Sequence, residues 1–225
     1  MSGLFISFEG GEGSGKTTQT DLLVARLEAE TGRRVVRLHE PGGTPLGEYI
    51  REWVKAQGAP LTLPAELLLF VASRAELVQR VIRPELDADS IVVADRYADS
   101  TTVYQGHARG LPLKDVRAAN AIATGGVWPD LTFLLDVLPD ASLRRAGLQM
   151  SFDEEGQVEP VPRADDSTKR RFEELGASFH RRVREGYLRL AKAEPERWVV
   201  VDGQQPVEEV HAQVWERVQG LQRSM

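Results

Sequence analysis

The feature that most constrains this chain is a glycine-studded loop, FISFEGGEGSGKTTQ, at residues 5–19. It carries the spacing G-x-x-x-x-G-K-T as Gly10, Gly15, Lys16 and Thr17. LFISF before it reads as a buried strand, and TTQTDLLVARLEAE after it as an amphipathic helix. A strand that enters a glycine-rich turn and leaves as a helix is a cradle for phosphate. Backbone N–H groups and the positive end of the helix face the anion, Lys16 reaches the outer phosphates, and Thr17 reaches a magnesium ion. The competing reading, a glycine-rich turn that matches by chance, requires the flanking strand and helix to be coincidences too.

Four more apolar runs follow: RRVVRLHE, SIVVADRY, LTFLLDV and RWVVVDG. Several lack a polar face, as parallel strands buried on both sides do. Helical patterns fall between them, at roughly 15–30, 45–57, 64–86, 113–124, 139–147, 168–193 and 206–222. Strands separated by helices predict an α/β fold, a doubly wound five-stranded parallel sheet flanked by helices and joined by right-handed crossovers. Ligands of such sheets bind beyond the carboxyl ends of the strands. The phosphate loop, HEPGG and DRY all lie at such ends, so three chemically loaded segments converge on one crevice.

With 225 residues and no internal repeat, the chain reads as a single domain, 1–225. MSFDEEGQVEPVPRADDSTKRR, 150–171, is polar, holds two prolines and fits no core element. It is either a surface insertion or a mobile flap over the crevice. No apolar run approaches the ~20 residues of a membrane span, and the first strand begins too early to leave room for a signal peptide. The absence of cysteine excludes disulfides and thiolate-bound metal and fits a reducing cytoplasm. A net charge of −6 argues against a grip on a nucleic acid polymer.

Three later blocks narrow the reading: EPGGTPLGEYIR (40–51), LFVASRAELV (69–78) and DRYADSTTVYQG (95–106). In their order and spacing they closely resemble the bacterial thymidylate kinases, a family of phosphate-loop nucleoside monophosphate kinases. The resemblance spans about residues 4–205 and weakens in the polar insertion. It implies transfer of a phosphoryl group from ATP, with magnesium, to thymidine monophosphate in dTTP synthesis, by a homodimer that pairs through helix 64–86. A kinase of another nucleoside monophosphate, or of a deoxynucleoside, is the alternative. A GTP-dependent switch would need an Asn-Lys-x-Asp motif, and NAIATGG at 120–126 is not one.

Carried onto this chain, the family places ATP on Gly10, Gly11, Glu12, Gly13, Ser14, Gly15, Lys16, Thr17 and Thr18. Asp95, at the end of an apolar strand, can join Thr17 at magnesium; otherwise it caps a turn. Arg96 and Arg51 hold the acceptor phosphate, for which a guanidinium fork is suited. Phe70 and Arg74, four apart on one helix face, supply a stacking plane and an edge donor for a pyrimidine, although Phe70 taken alone reads as core. Ser100, Thr101, Tyr104 and Gln105 line the base and sugar, with Tyr104 excluding a 2′-hydroxyl. Glu40 helps place the arginines. Many relatives carry arginine before EPGG; here His39 stands there, and no phosphate role is assigned to it. Glu12 is repelled by phosphates and must face something else, such as a sugar hydroxyl or magnesium. The loop itself holds no arginine, so the cation for the transferring group comes from a lid at 148–171, with Arg171 first and Arg163 second.

Overall fold

The computed structural model describes residues 3–55, 61–145, 148–152, 158–162 and 176–222. Its elements in order are β1 (Leu4–Glu9), α1 (Lys16–Thr31), β2 (Val35–His39), α2 (Pro45–Lys55), α3 (Leu63–Leu77), α4 (Arg83–Asp87), β3 (Ile91–Asp95) and α5 (Ala98–Thr101). They continue as α6 (Leu113–Thr124), β4 (Leu131–Asp136), α7 (Pro139–Arg145), β5 (Leu148–Phe152), β6 (Val158–Pro162), α8 (Ala177–Ala193), β7 (Trp198–Asp202) and α9 (Val207–Gln222). The five runs expected as strands form one sheet in the order β2-β3-β1-β4-β7, every neighbouring pair parallel.

β1 sits at the centre and is buried along its whole length. Its pleat separates two environments. Leu4, Ile6 and Phe8 pack with Leu23 and Leu27 of α1 and Val210, Val214 and Val218 of α9. On the other face Phe5 joins Leu77, Ile82, Val92 and Tyr97. Ser7 and Glu9 share Phe5's face by alternation, which puts two polar side chains inside a sheet-to-helix interface. Ser7 meets Thr132 of β4 there, hydroxyl to hydroxyl at 3.0 Å.

The helix expected at 64–86 is real but not regular. Thr62 caps it, its hydroxyl accepting from Ala65 N. Between α3 and α4 the turns widen to a π-helix over Val78–Ile82. Pro84 lies just beyond, where its missing N–H and its ring disfavour an ordinary turn. A second π-helical stretch, Thr102–Ala108, prolongs α5. STTVYQG, which in isolation reads as a polar turn opening a helix, is therefore a buried helical run.

Of the helix expected over 168–193, the described part is α8 with extended Gly176 (ψ 161°) as its N-cap, and residues 168–175 lie outside the described residues. Within the polar insertion, β5 and β6 pair antiparallel as a separate two-stranded sheet, with Leu148 opposite Pro162 and Phe152 opposite Val158. Arg163 and Arg171 lie outside the described residues. Among the described residues no helix is long and apolar enough to cross a membrane.

Candidate active site

The phosphate loop links the end of β1 to the start of α1. Gly10 has φ +144°, and a Cβ there would come within 2.8 Å of the Leu135 carbonyl oxygen and 2.7 Å of Ser14 Oγ. No side chain fits, so glycine is required. Gly15, at φ +95°, is the N-cap of α1. The Lys16 ammonium folds back onto the loop and donates to Gly11 O at 2.7 Å, Gly10 O at 3.1 Å and Ser14 Oγ at 3.3 Å. Burial, joined by the like charge of Arg96, lowers its pKa to about 8 against the pull of Glu12 and Asp95. Next to it the Thr17 hydroxyl donates to Asp95 Oδ2 at 2.6 Å. The sheet register makes this contact possible, since Asp95 pairs with Phe8 at the carboxyl ends of neighbouring strands.

Arg96 follows in the left-handed region at φ +75°, a conformation that costs a branched-out side chain energy and must be held. Its amide donates to Phe8 O at 3.0 Å, which turns the chain sharply off the sheet. The guanidinium then points back over the loop. Nη2 donates to Glu12 Oε1 at 2.7 Å and to Tyr104 Oη at 3.2 Å. Nη1 reaches Gly10 O, Ser100 Oγ and Tyr187 Oη at 3.1–3.3 Å. Glu12 also accepts from the Tyr104 hydroxyl at 2.8 Å. Burial alone would raise the Glu12 pKa, but Arg96, then Lys16 and the Tyr104 hydrogen bond, outweigh it and bring it down to about 2. The odd carboxylate of the loop thus faces an arginine and a tyrosine.

A third group of side chains gathers around Arg74, which is 2% exposed. Its Nε and Nη2 donate to Glu40 Oε2 at 2.8 and 2.6 Å, Nη1 to Asn120 Oδ1 at 2.8 Å, and Nη2 to Thr101 Oγ1 at 2.9 Å. One Nη1 hydrogen lies outside this set. The guanidinium also sits 5.5 Å from the centre of the Tyr97 ring. Arg74 is therefore chiefly a buried tie joining the HEPGG loop, α3, α5 and α6, where the sequence pointed to an edge donor. Glu40 helps to hold it, as its position before Pro41 indicated. Phe70, one turn earlier, is half-buried. Gln105 is buried and donates through Nε2 to Glu66 Oε1 at 2.9 Å. Arg51 donates to Pro41 O at 2.9 Å. His39 lies 3.2 Å from Glu48, which also accepts from Gly43 N.

Four participants were missed from the sequence: Glu9, Glu66, Asn120 and Tyr187. Glu9 accepts from Tyr97 N at 2.8 Å, Ser100 Oγ at 2.6 Å and Tyr187 Oη at 2.7 Å. A carboxylate at the end of an otherwise apolar buried strand was the available signal.

Against known proteins, the family model described as thymidylate kinase matches residues 8–214. The chain is 45% identical over 216 residues to the thymidylate kinase of Deinococcus radiodurans, covering 96% of both chains. It is 48% identical over 214 residues to that of Thermomicrobium roseum, covering 95% of this chain and 93% of the relative. Among solved structures, it resembles the crystal structure of thymidylate kinase from Ehrlichia chaffeensis with a TM-score of 0.73 and 33% identity, over 97% of this chain and 99% of that one.

Proposed function

The chain belongs to the thymidylate kinase family, and from that membership we propose how its residues transfer a phosphoryl group from ATP to thymidine monophosphate. The observation that carries the proposal is the adjacency of two anion sites. Lys16 Nζ and Arg96 Nη1 both donate to Gly10 O, at 3.1 Å each, and Arg96 Nη2 also holds Glu12 at 2.7 Å.

ATP takes the loop, Gly10 to Thr18, with Lys16 moving from the loop carbonyls to the outer phosphates. The acceptor phosphate takes Arg96 and Arg51. Little covalent work falls to the protein in such a transfer; positioning and charge stabilisation dominate. The acceptor is an anion at neutral pH and needs no strong general base. Thr17 and Asp95 offer a hydroxyl and a carboxylate already in contact, an oxygen pair that would hold magnesium. When bound, the ion neutralises charge on the phosphates.

The thymine stacks on Phe70. Arg74, through its remaining Nη1 hydrogen, Thr101 and Gln105 read the base edge, while Ser100 steadies Arg96 and Tyr104 excludes a ribose 2′-hydroxyl. Residues 148–171 form the lid, Arg171 supplies the cation for the transferring group and Arg163 is its second. The enzyme works in the cytoplasm as a homodimer. Leu68 of α3 is 62% exposed and Ile122 of the neighbouring α6 is 80% exposed, apolar surface that a second copy would cover.

The test is ADP release by purified protein with ATP and, in turn, the thymidine, uridine, guanosine and adenosine monophosphates. Turnover with thymidine monophosphate above the other three supports the proposal, and turnover with a purine monophosphate alone overturns it.

A further inference from the structure

A buried polar cluster that the steps above do not use centres on Glu9. Glu9 is fully buried at the end of β1, and its two oxygens serve two parts of the Arg96 turn. Oε1 accepts from Tyr97 N, the amide that follows Arg96, at 2.8 Å. That bond pins the peptide on the far side of the strained φ +75° residue, as Arg96 N to Phe8 O pins the near side. Oε2 accepts from the hydroxyls of Ser100 and Tyr187 at 2.6 and 2.7 Å. Both hydroxyl oxygens in turn accept from Arg96 Nη1, at 3.2 and 3.3 Å.

The two hydroxyls also lie 2.9 Å from each other, with either able to donate. An ionised carboxylate only accepts, so it draws hydroxyl hydrogens toward itself and leaves hydroxyl lone pairs facing the guanidinium. We propose that Glu9, acting through Ser100 and Tyr187, is a positioning residue that sets the backbone and the guanidinium of Arg96 for the acceptor phosphate. The proposal rests on the kinase reading given above.

The carboxylate is costly where it stands. Burial, reinforced by the charge of Asp99 and opposed by Arg96, pushes its pKa up to about 7. The charged and titratable groups facing it are Arg96 beyond β3, Asp99 on α5, Tyr187 on α8 and Lys16 at the start of α1. A carboxyl whose folded pKa lies above its unfolded value stabilises the fold at low pH, and that contribution is lost as pH rises through the folded value. At pH 8 the native state therefore carries a destabilising charge, and orientation of Arg96 is what the charge supplies in return.

Glu9→Gln separates the two roles. Its amide oxygen can keep the bond from Tyr97 N, while its NH₂ donates to the two hydroxyls and turns their hydrogens toward Arg96. At pH 8 the variant should melt no lower than wild type. Its kcat/KM for thymidine monophosphate should fall by about tenfold to a hundredfold, the range of a lost hydrogen bond to a charged group, while KM for ATP moves less than about twofold. Tyr187→Phe removes one of the two inverted donors, so Glu9→Gln combined with Tyr187→Phe should lose less than the product of the single losses. Wild-type kcat/KM in Glu9→Gln, or equal losses for both substrates, would overturn the proposal. Should Glu9→Gln fail to fold, Tyr187→Phe decides: a raised KM for the monophosphate at unchanged melting temperature supports the role, and an unchanged KM overturns it. Wild-type protein assayed alongside keeps the kinase reading separate, because a failure there shows as no thymidine monophosphate turnover before any variant is compared.

Discussion

Arg96 Nη2 and Glu12 Oε1 lie 2.7 Å apart, and the Tyr104 hydroxyl meets the same carboxylate oxygen at 2.8 Å. The guanidinium expected to hold the acceptor phosphate has an anionic partner within the protein. The pair keeps a buried cation compensated, and an incoming phosphate then exchanges one anion for another instead of meeting an unpaired charge.

This pairing predicts an acid-sensitive contribution to stability. The Glu12 pKa is depressed from 4.5 to about 2, so its contribution is complete above the unfolded value and is lost as pH falls through the folded one. Glu12→Gln should cost about 1–3 kcal/mol in urea unfolding at pH 7, a range reduced for partial solvent screening. The deficit should shrink steadily as pH falls from about 4.5 toward 2. Superimposable curves at pH 7 would contradict it.

Lys16 makes a prediction about protons. With its pKa near 8, roughly half of the molecules carry a neutral amine at pH 8. Triphosphate oxygens favour the charged form, so ATP binding at pH 8 should take up to about half a proton per site. Calorimetry in two buffers of different ionisation enthalpy measures this directly. Lys16→Met should abolish the uptake, and a binding heat independent of buffer in wild type would refute it.

Phe70 is half-buried on α3, one turn before Arg74. Phe70→Ala should raise KM for thymidine monophosphate by the equivalent of about 1–3 kcal/mol, the usual worth of base–aromatic stacking. KM for ATP should stay close to wild type. Were ATP binding to suffer instead, the ring would be acting as packing.

Arg171 and Arg163 test the source of the cation. A cation on the transferring oxygens can be worth about 10³–10⁵ in turnover. Arg171→Ala should lower kcat at saturating substrates by at least about a hundredfold, with Arg163→Ala weaker. If the double variant turns over at the wild-type rate, Lys16 and magnesium carry the stabilisation alone.

The sheet was legible because a strand buried on both faces leaves an unmistakable apolar run, and VVV or LTFLL between helical patterns has few other uses. The phosphate loop and the Thr17–Asp95 contact were legible because spacing within one turn, or at a strand end, fixes where a side chain can reach. Glu9, Tyr187 and Asn120 were not. Glu9's partners lie 88, 91 and 178 residues away, and nothing near it in sequence says what it meets. Tyr187 occupies a core position of an amphipathic helix, where its ring hides the purpose of its hydroxyl. For Arg74, spacing from Phe70 said which face it shared, while five tertiary hydrogen bonds decided how little of it reaches the surface.

The parallel register of β1 and β3 has one more consequence. Phe8 pairs with Asp95, and the next amide, Arg96 N, returns to Phe8 O. The residue proposed for the donor's metal and the residue proposed for the acceptor are covalent neighbours, the first in contact with Thr17 and the second with Glu12. The distance between two freely diffusing substrates is thereby written into the covalent chain, as a fixed ruler one residue long. A one-residue slip of β3 against β1 would turn both side chains to the wrong faces, so the register of this strand pair sets the spacing of the two sites.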